Sequence, residues 1–272
     1  MTLTDEIKLT NVAPGRWTTR AGPEWCNPGG GLWGGYGVGL CIRVLEHEPE
    51  AVGEALSLTV TFAAALKDGD LDIRTRRIRQ GGSIGVWEVE LLQAGSEDVA
   101  VHGIVTMARR PRTPDFAFAK MPDAAPPESL PAPQSPIAAH HVAGSAFERR
   151  TLEGFPPKPS GDSRSTAWVR SRRGPLSKTL LGMIVDNSPP RSMYALGGDV
   201  MSTTLTLTAY MHATVEEIAE VGDDFILVEY EGRVGGGGAS DERSSYWRRD
   251  GKLLATSEQL AWYRPFRRGS PE

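Results

Sequence analysis

Only two cysteines occur among the 272 residues, and Cys26 and Cys41 have no metal-ligand spacing. So sparse a pair in so long a chain excludes a disulfide framework and leaves both as thiols without a role. No apolar run approaches the roughly 18 residues that a bilayer-spanning helix needs. The opening MTLTDEIKLT has neither the basic segment nor the apolar run of a secretory leader. Neither sign of charge dominates, with 30 Lys plus Arg against 34 Asp plus Glu. No global field therefore draws the chain to nucleic acid or to an anionic membrane. These absences predict a cytoplasmic protein with no membrane span and no nucleic-acid partner. Among the histidines, His47, His102, His140, His141 and His212 form no HxH or HExxH set, which predicts no metal. No GxSxG elbow occurs either, which argues against a serine-nucleophile hydrolase.

What is present is organised around Leu176–Tyr194. Leu176, Leu180, Leu181, Met183, Ile184 and Val185 leave hardly any polar face on a helical wheel, as in a helix wrapped on most sides. Ser177 is placed to cap its start, and Ser188, Pro189 and Pro190 stop it. Asp186 then falls in the last turn. There the negative end of the helix dipole and partial burial both raise a carboxyl pKa at some cost in stability. An acid in such a place either caps the turn Asn187–Pro190 or is kept for chemistry.

A first helix is predicted to begin among the glycines of GGGLWGGYGVGL, because Leu32, Tyr36, Leu40 and Val44 recur at helical spacing. Residues 15–31, rich in Gly, Pro and Trp, read as loop. Four strands follow, in ALSLTVTFAAAL, DLDIRTRRIRQ, SIGVWEVELLQ and VAVHGIVTMARR, separated by KDGD, GG and AGSED turns. From Arg110 to about Ala139 proline is too frequent for helix or interior strand, so this is an extended linker. Afterwards the order recurs: a short strand at TAWVRSR, the central helix, then strands in TTLTLTAYMHATV, DDFILVEYEGRV, SSYWRRDG and KLLATSEQLAWYRPF. Setting LSLTVTFAAAL beside TTLTLTAYMHA gives an offset of about 147 residues, the length of a duplicated domain rather than of a solenoid repeat. The expected division is an N-terminal domain over 1–110, the linker over 111–139 and a C-terminal domain over 140–272.

A helix laid across a long antiparallel sheet, twice in one chain, resembles the double hotdog arrangement of the acyl-CoA thioesterase II family and its thioesterase-like relatives. The matching segments are GGLWGGYGVGL in the first half and IVDNSPP, TLTLTAYMH and LATSEQLAWYR in the second. The resemblance implies an α+β fold with two sheets, each wrapped around a central helix. It also implies a cofactor-independent hydrolase of lipid metabolism that acts on acyl-CoA. In such enzymes an Asp on the second helix, a Thr on the next strand and a Gln on the last strand hold a water. Here these fall on Asp186, Thr204 and Gln259. By the same resemblance the paired glycines of the first helix are Gly34 and Gly35, whose amides suit an oxyanion. Trp33 and Tyr36, with Leu180 and Met183, are expected beside the acyl chain. The pattern departs from the family after Asp186, where Asn187, Ser188 and two prolines replace apolar or aromatic residues. Whether the double domain pairs again is left open by the sequence.

Strand alternation sets a difficulty. Thr204 shares a face with Thr206, Thr208 and Tyr210, opposite Leu205 and Leu207, and Leu260 and Trp262 oppose Gln259. Either a bulge re-aims these side chains, or the inner face is the polar one, or both are solvated strand residues. The glycines likewise either serve an oxyanion or only permit close packing. Gly29, Gly31 and Gly34 match GxGxxG, but WCNP precedes them instead of a strand and no βαβ unit follows. Gly235–Gly238 lacks the Lys-Ser/Thr of a phosphate loop and reads as a hairpin connection. Arginines 170, 172 and 173, or 74, 76, 77 and 79, have the chemistry to meet coenzyme A phosphates, though alternating arginines on a strand usually mark a solvated face. Two rival functions stay in view: an acyl-thioester-binding protein without turnover, and an enoyl-thioester hydratase, which would need a His near the Asp.

Overall fold

The computed structural model describes residues 7–27, 29–131, 146–151, 162–196 and 200–265. The first half opens with the hairpin β1 (Thr10–Ala13) and β2 (Arg16–Ala21), followed by helix α1 (Gly34–His47). Strands β3 (Glu54–Phe62), β4 (Gly69–Gln80), β5 (Ile84–Gln93) and β6 (Val99–Ala108) complete it. The second half contains β7 (Phe147–Arg150), β8 (Ser165–Ser171), α2 (Lys178–Ile184), α3 (Arg191–Leu196), β9 (Val200–Met211) and α4 (Val215–Ala219). It closes with β10 (Ile226–Glu231), β11 (Gly235–Gly236), β12 (Ala239–Trp247) and β13 (Leu253–Pro265).

All strands join one antiparallel sheet whose order is β1-β2-β4-β5-β6-β3-β9-β13-β12-β10-β8-β7, with β11 on β12. Outward from the β3–β9 seam, both halves repeat one order: β3, β6, β5, β4, β2, β1 on one side and β9, β13, β12, β10, β8, β7 on the other. The main helix of each half, α1 or α2, enters just before the seam strand. Duplication is thus visible as a pseudo-two-fold axis through the seam, where Ser57 faces Tyr210 and Thr61 faces Thr206.

The apolar faces explain the layering. Leu58 and Val60 of β3 and Leu207, Ala209 and Met211 of β9 are fully buried, on the side where α1 and α2 lie. Their cluster extends through both halves, so the two helices share one core. Helix contact is close because the facing positions lack side chains. A Cβ on Gly39 would lie 2.6 Å from Met183 Cγ, and one on Gly182 only 2.5 Å from Ile42 Cδ1. Ser177 caps α2 as expected, accepting the Leu180 amide at 3.2 Å.

Three sequence expectations need correction. The central helix stops before Pro189 and Pro190 as expected, but earlier, at Ile184, so Asp186 lies just past the C-cap Val185 rather than in the last turn, and α3 after the prolines was not foreseen. Part of the presumed loop at 15–31 is strand β2, whose Trp17, Thr19 and Ala21 point inward by alternation. Strand β7 was not foreseen, and β12 begins at Ala239 rather than near Ser244. The proline-rich segment, so far as it lies among the described residues, runs without regular structure to a single 3-10 turn at Pro127–Ser129. It lies on the outer face of the second half: Trp168 Nε1 donates to Ala125 O at 2.8 Å, and Leu130 packs with Trp168, Phe225, Leu227 and Trp247. Residues 132–139 of the expected linker lie outside the described residues.

Candidate active site

The site follows from where α2 stops. The carbonyl of Val185, its C-cap, accepts the Gln259 amide at 3.0 Å and the Tyr246 hydroxyl at 3.2 Å. The Asp186 carbonyl accepts Trp33 Nε1 at 3.0 Å. The turn after α2 is thus held by the last strand on one side and by the entry to α1 on the other.

A bulge resolves the alternation difficulty. On β9, residues 207, 209 and 211 face the helices, and their β13 partners Gln259, Ser257 and Ala255 share that face. Leu260 then pairs with Thr206 but Ala261 with Thr204, which leaves Leu205 as the extra residue. One extra residue reverses the parity of every position before it, so Thr204 turns inward beside Gln259. Thr206, Thr208 and Tyr210 remain on the outer face, where Thr208 meets Thr59 across the seam at 3.1 Å.

Thr204 Oγ1 lies 3.0 Å from Gln259 Oε1 and 3.3 Å from Asp186 Oδ1. The Gln259 amide is oriented by its bond to Val185 O, so its oxygen is the atom presented to Thr204. On the far side of the carboxyl, α1 begins. The Gly35 amide donates to Asp186, and the missing Cβ of Gly34 leaves room that a methyl would fill at 2.6 Å from Asp186 Oδ2. Desolvation chiefly, and then the charge of Glu242, push the Asp186 pKa up to about 7, against the opposing Thr204 and Gly35 hydrogen bonds.

The structure therefore gathers Asp186, Thr204, Gln259, Gly34, Gly35 and Trp33. Tyr36 is elsewhere: its ring lies 4.9 Å from Trp25, and burial raises its hydroxyl to about 12. Leu180 and Met183 are fully buried core residues. One described cavity, of about 310 Å3, lies beside α3, between Arg191, Leu196, Val234 and Tyr263. A second, of about 540 Å3, is lined by strand residues such as Arg164, Glu229 and Thr256. Neither reaches the Asp186 carboxyl.

Sequence reasoning missed Glu242 and Arg191, both nearly inaccessible, because their segments read as an acidic hairpin and a post-proline turn. It also missed that Glu88, Glu90 and His102, on neighbouring strands, bring ligand-type atoms within 4.8 Å of one another. Glu88 there already pairs with Arg76 at 2.7 Å and His102 at 2.9 Å, as an outer-face ion cluster. Three more strand arginines also meet carboxylates: Arg74 with Glu97, Arg77 with Glu50 and Arg170 with Glu148.

Residues 22–108 match the model of the acyl-CoA thioesterase N-terminal domain, and residues 117–263 that of the acyl-CoA thioesterase C-terminal domain. The chain belongs to the acyl-CoA thioesterase family. Solved structures agree on the fold. A hotdog-fold protein of unknown function from Alicyclobacillus acidocaldarius is 25% identical over 100% of both chains, with a TM-score of 0.90. The tesB protein of Mycobacterium avium subs paratuberculosis is 17% identical over 97% of this chain and 100% of its own, at TM-score 0.77. The acyl-CoA thioesterase II TesB2 of Mycobacterium marinum is 17% identical over 96% and 98%, at 0.76. No curated protein matches the sequence. Family and fold together make this a double hotdog thioesterase-family protein, and among its described residues no helix is long and apolar enough to cross a membrane.

Proposed function

We propose that this acyl-CoA thioesterase-family chain hydrolyses an acyl-CoA thioester, with Asp186 as general base and Thr204 and Gln259 aligning the water. A thioester carbonyl needs little more than an activated water and a donor for the developing oxyanion, since a thiolate leaves readily. Asp186 takes a proton as the water oxygen attacks the carbonyl carbon. Collapse of the tetrahedral intermediate expels coenzyme A, which takes that proton and leaves the free acid.

The observation that carries this reading is the carboxyl of Asp186 itself, raised to about 7 and set between the Thr204 hydroxyl and the opening of α1. A base with that proton affinity is poised at neutral pH, neither wholly protonated nor too weak to accept. The oxyanion role divides between the glycines. The Gly35 amide is engaged with Asp186, so the Gly34 amide is the donor assigned to the substrate carbonyl, at the positive end of α1. Trp33 keeps the turn in place through its bond to the Asp186 carbonyl.

The test is thiol release from a panel of acyl-CoAs of differing chain length, followed with wild type and Asp186→Asn. The variant is expected to lose about 100-fold or more in kcat. Wild-type kcat/KM is expected to rise through pH 7 as Asp186 deprotonates, and to lose that limb in the variant. Equal rates for the two proteins would remove Asp186 from the reaction.

A further inference from the structure

Glu242 is the second carboxyl of this region, and nothing in the hydrolytic scheme uses it. It lies on β12 directly across from Gln259 on β13, so both side chains enter the same face of the sheet. It is 6% exposed. Its carboxyl accepts the Ser188 hydroxyl and the backbone amide of Arg191, the first residue of α3. Those two groups bracket the stretch between α2 and α3. The same stretch is held from a third side, where Arg149 of β7 donates to Asn187 O at 2.9 Å.

We propose that Glu242 is a positioning residue for Asp186: it fastens the 186–191 turn through Ser188 and Arg191 and sets a second carboxyl within electrostatic reach of the first. The proposal rests on the hydrolytic reading for its kinetic consequences, but its electrostatic part does not. Around Glu242 stand the Arg191 guanidinium from α3, with N to O at 3.7 Å, Arg149 from β7, Tyr230 from β10 and Tyr246 from its own strand. Around Asp186 stand Glu242, the Thr204 hydroxyl of β9 and the Gly35 amide of α1. Burial raises the Glu242 pKa, while Arg191, Ser188 and Arg149 favour its charged form. Each proton on Glu242 therefore makes Asp186 easier to ionise, and the two titrate as a pair.

Two substitutions separate the functions. Glu242→Gln keeps an acceptor oxygen for Ser188 and Arg191 but removes the charge, whereas Glu242→Ala removes both. The decisive readout is the 13C carboxyl titration of Asp186 in folded, labelled protein, which needs no turnover. Glu242→Gln is expected to lower the Asp186 midpoint by about one pH unit and to carry the acid limb of kcat/KM down with it. Glu242→Ala is expected to lower the midpoint likewise and also to cost roughly tenfold in kcat on the plateau above it, with KM little changed. An unmoved Asp186 midpoint in Glu242→Gln, or wild-type kcat in Glu242→Ala, overturns the proposal. Should Glu242→Gln fail to fold, the wild-type curve decides: a single inflection at Asp186, with no second step from Glu242, overturns it equally. Absence of thiol release by wild type alongside a shifted midpoint would remove the hydrolytic reading and leave the Glu242 assignment standing.

Discussion

Thr204 has one hydroxyl hydrogen and two acceptors in reach, Gln259 Oε1 at 3.0 Å and Asp186 Oδ1 at 3.3 Å. Donated to Asp186, that hydrogen favours the carboxylate, as the Gly35 amide does. Burial outweighs both hydrogen bonds and, with the charge of Glu242, favours the neutral acid and raises its pKa to about 7. The cost appears in stability. An unfolded Asp titrates near its ordinary value of about 3.9, so between that pH and 7 the folded chain holds the extra proton. The slope of stability with pH is then negative: the contribution is complete below the unfolded pKa and is lost as pH rises through the folded one. Asp186→Asn, which cannot ionise, is expected to be more stable than wild type at pH 8 by about 4 kcal/mol. The gap should close towards pH 4, and denaturant titration of both proteins across that range measures it. A gap that stays constant with pH would show that Asp186 ionises as freely folded as unfolded. Asp186 stood out in the sequence as an acid between an apolar helix and two prolines, but only the family resemblance favoured chemistry over a capping role. Glu242 was not, because ASDERSSYW reads as a polar hairpin until the register with β13 turns its glutamate inward.

At the scale of elements, the sheet was read well wherever apolar and polar residues alternate, as in β4, β5 and β6. It was read poorly where strands are short or tryptophan-rich, as in β2 and β7, because few residues then carry the period. The β9 bulge lies beyond any single-strand pattern, since parity is defined only against the neighbouring strand. TTLTLTAYM alternates without a break, yet Thr204 and Leu207 point to the same side. That account makes a prediction from counting alone. Deleting Leu205 closes the bulge and keeps Thr204 inward opposite Ala261, so thioesterase activity should persist within about tenfold. Inserting one alanine between Leu260 and Ala261 instead gives Leu205 a partner, removes the bulge and turns Thr204 to the outer face with Thr206. The loss should then match that of Thr204→Val, about 100-fold in kcat if both remove the same water contact. Activity retained on insertion and lost on deletion would mean that the bulge does not aim Thr204.

The whole molecule is two copies of one topology, and among the described residues the copies differ in the length of the main helix. Helix α1 runs 14 residues and carries no carboxylate before Glu46, while α2 stops after 7 and yields to the turn that bears Asp186. A shortened helix needs other anchors, and Lys178 supplies one at the seam. Its ammonium, 3% exposed as a residue, lies 3.0 Å from Glu54 Oε2 and donates to Ala213 O at 2.6 Å and to Ala55 O at 3.2 Å. Arg110 meets the other Glu54 oxygen at 3.0 Å and donates to the Met211 and His212 carbonyls. One carboxylate of the first copy thus holds a cation at the start of α2 and another that reaches the end of β9. Desolvation lowers the Lys178 pKa despite Glu54, so its charge is kept at a cost. Removing one partner of such a cluster strands the rest. Lys178→Met is expected to cost about 3 kcal/mol in denaturant unfolding, and Glu54→Gln more, because it leaves two cations unpaired. The double variant should cost less than the sum of the two, since the second change removes a charge that the first had left unpaired. Strict additivity would mean that Lys178 and Glu54 act independently, and that the two copies are held together by the β3–β9 ladder and the shared core alone.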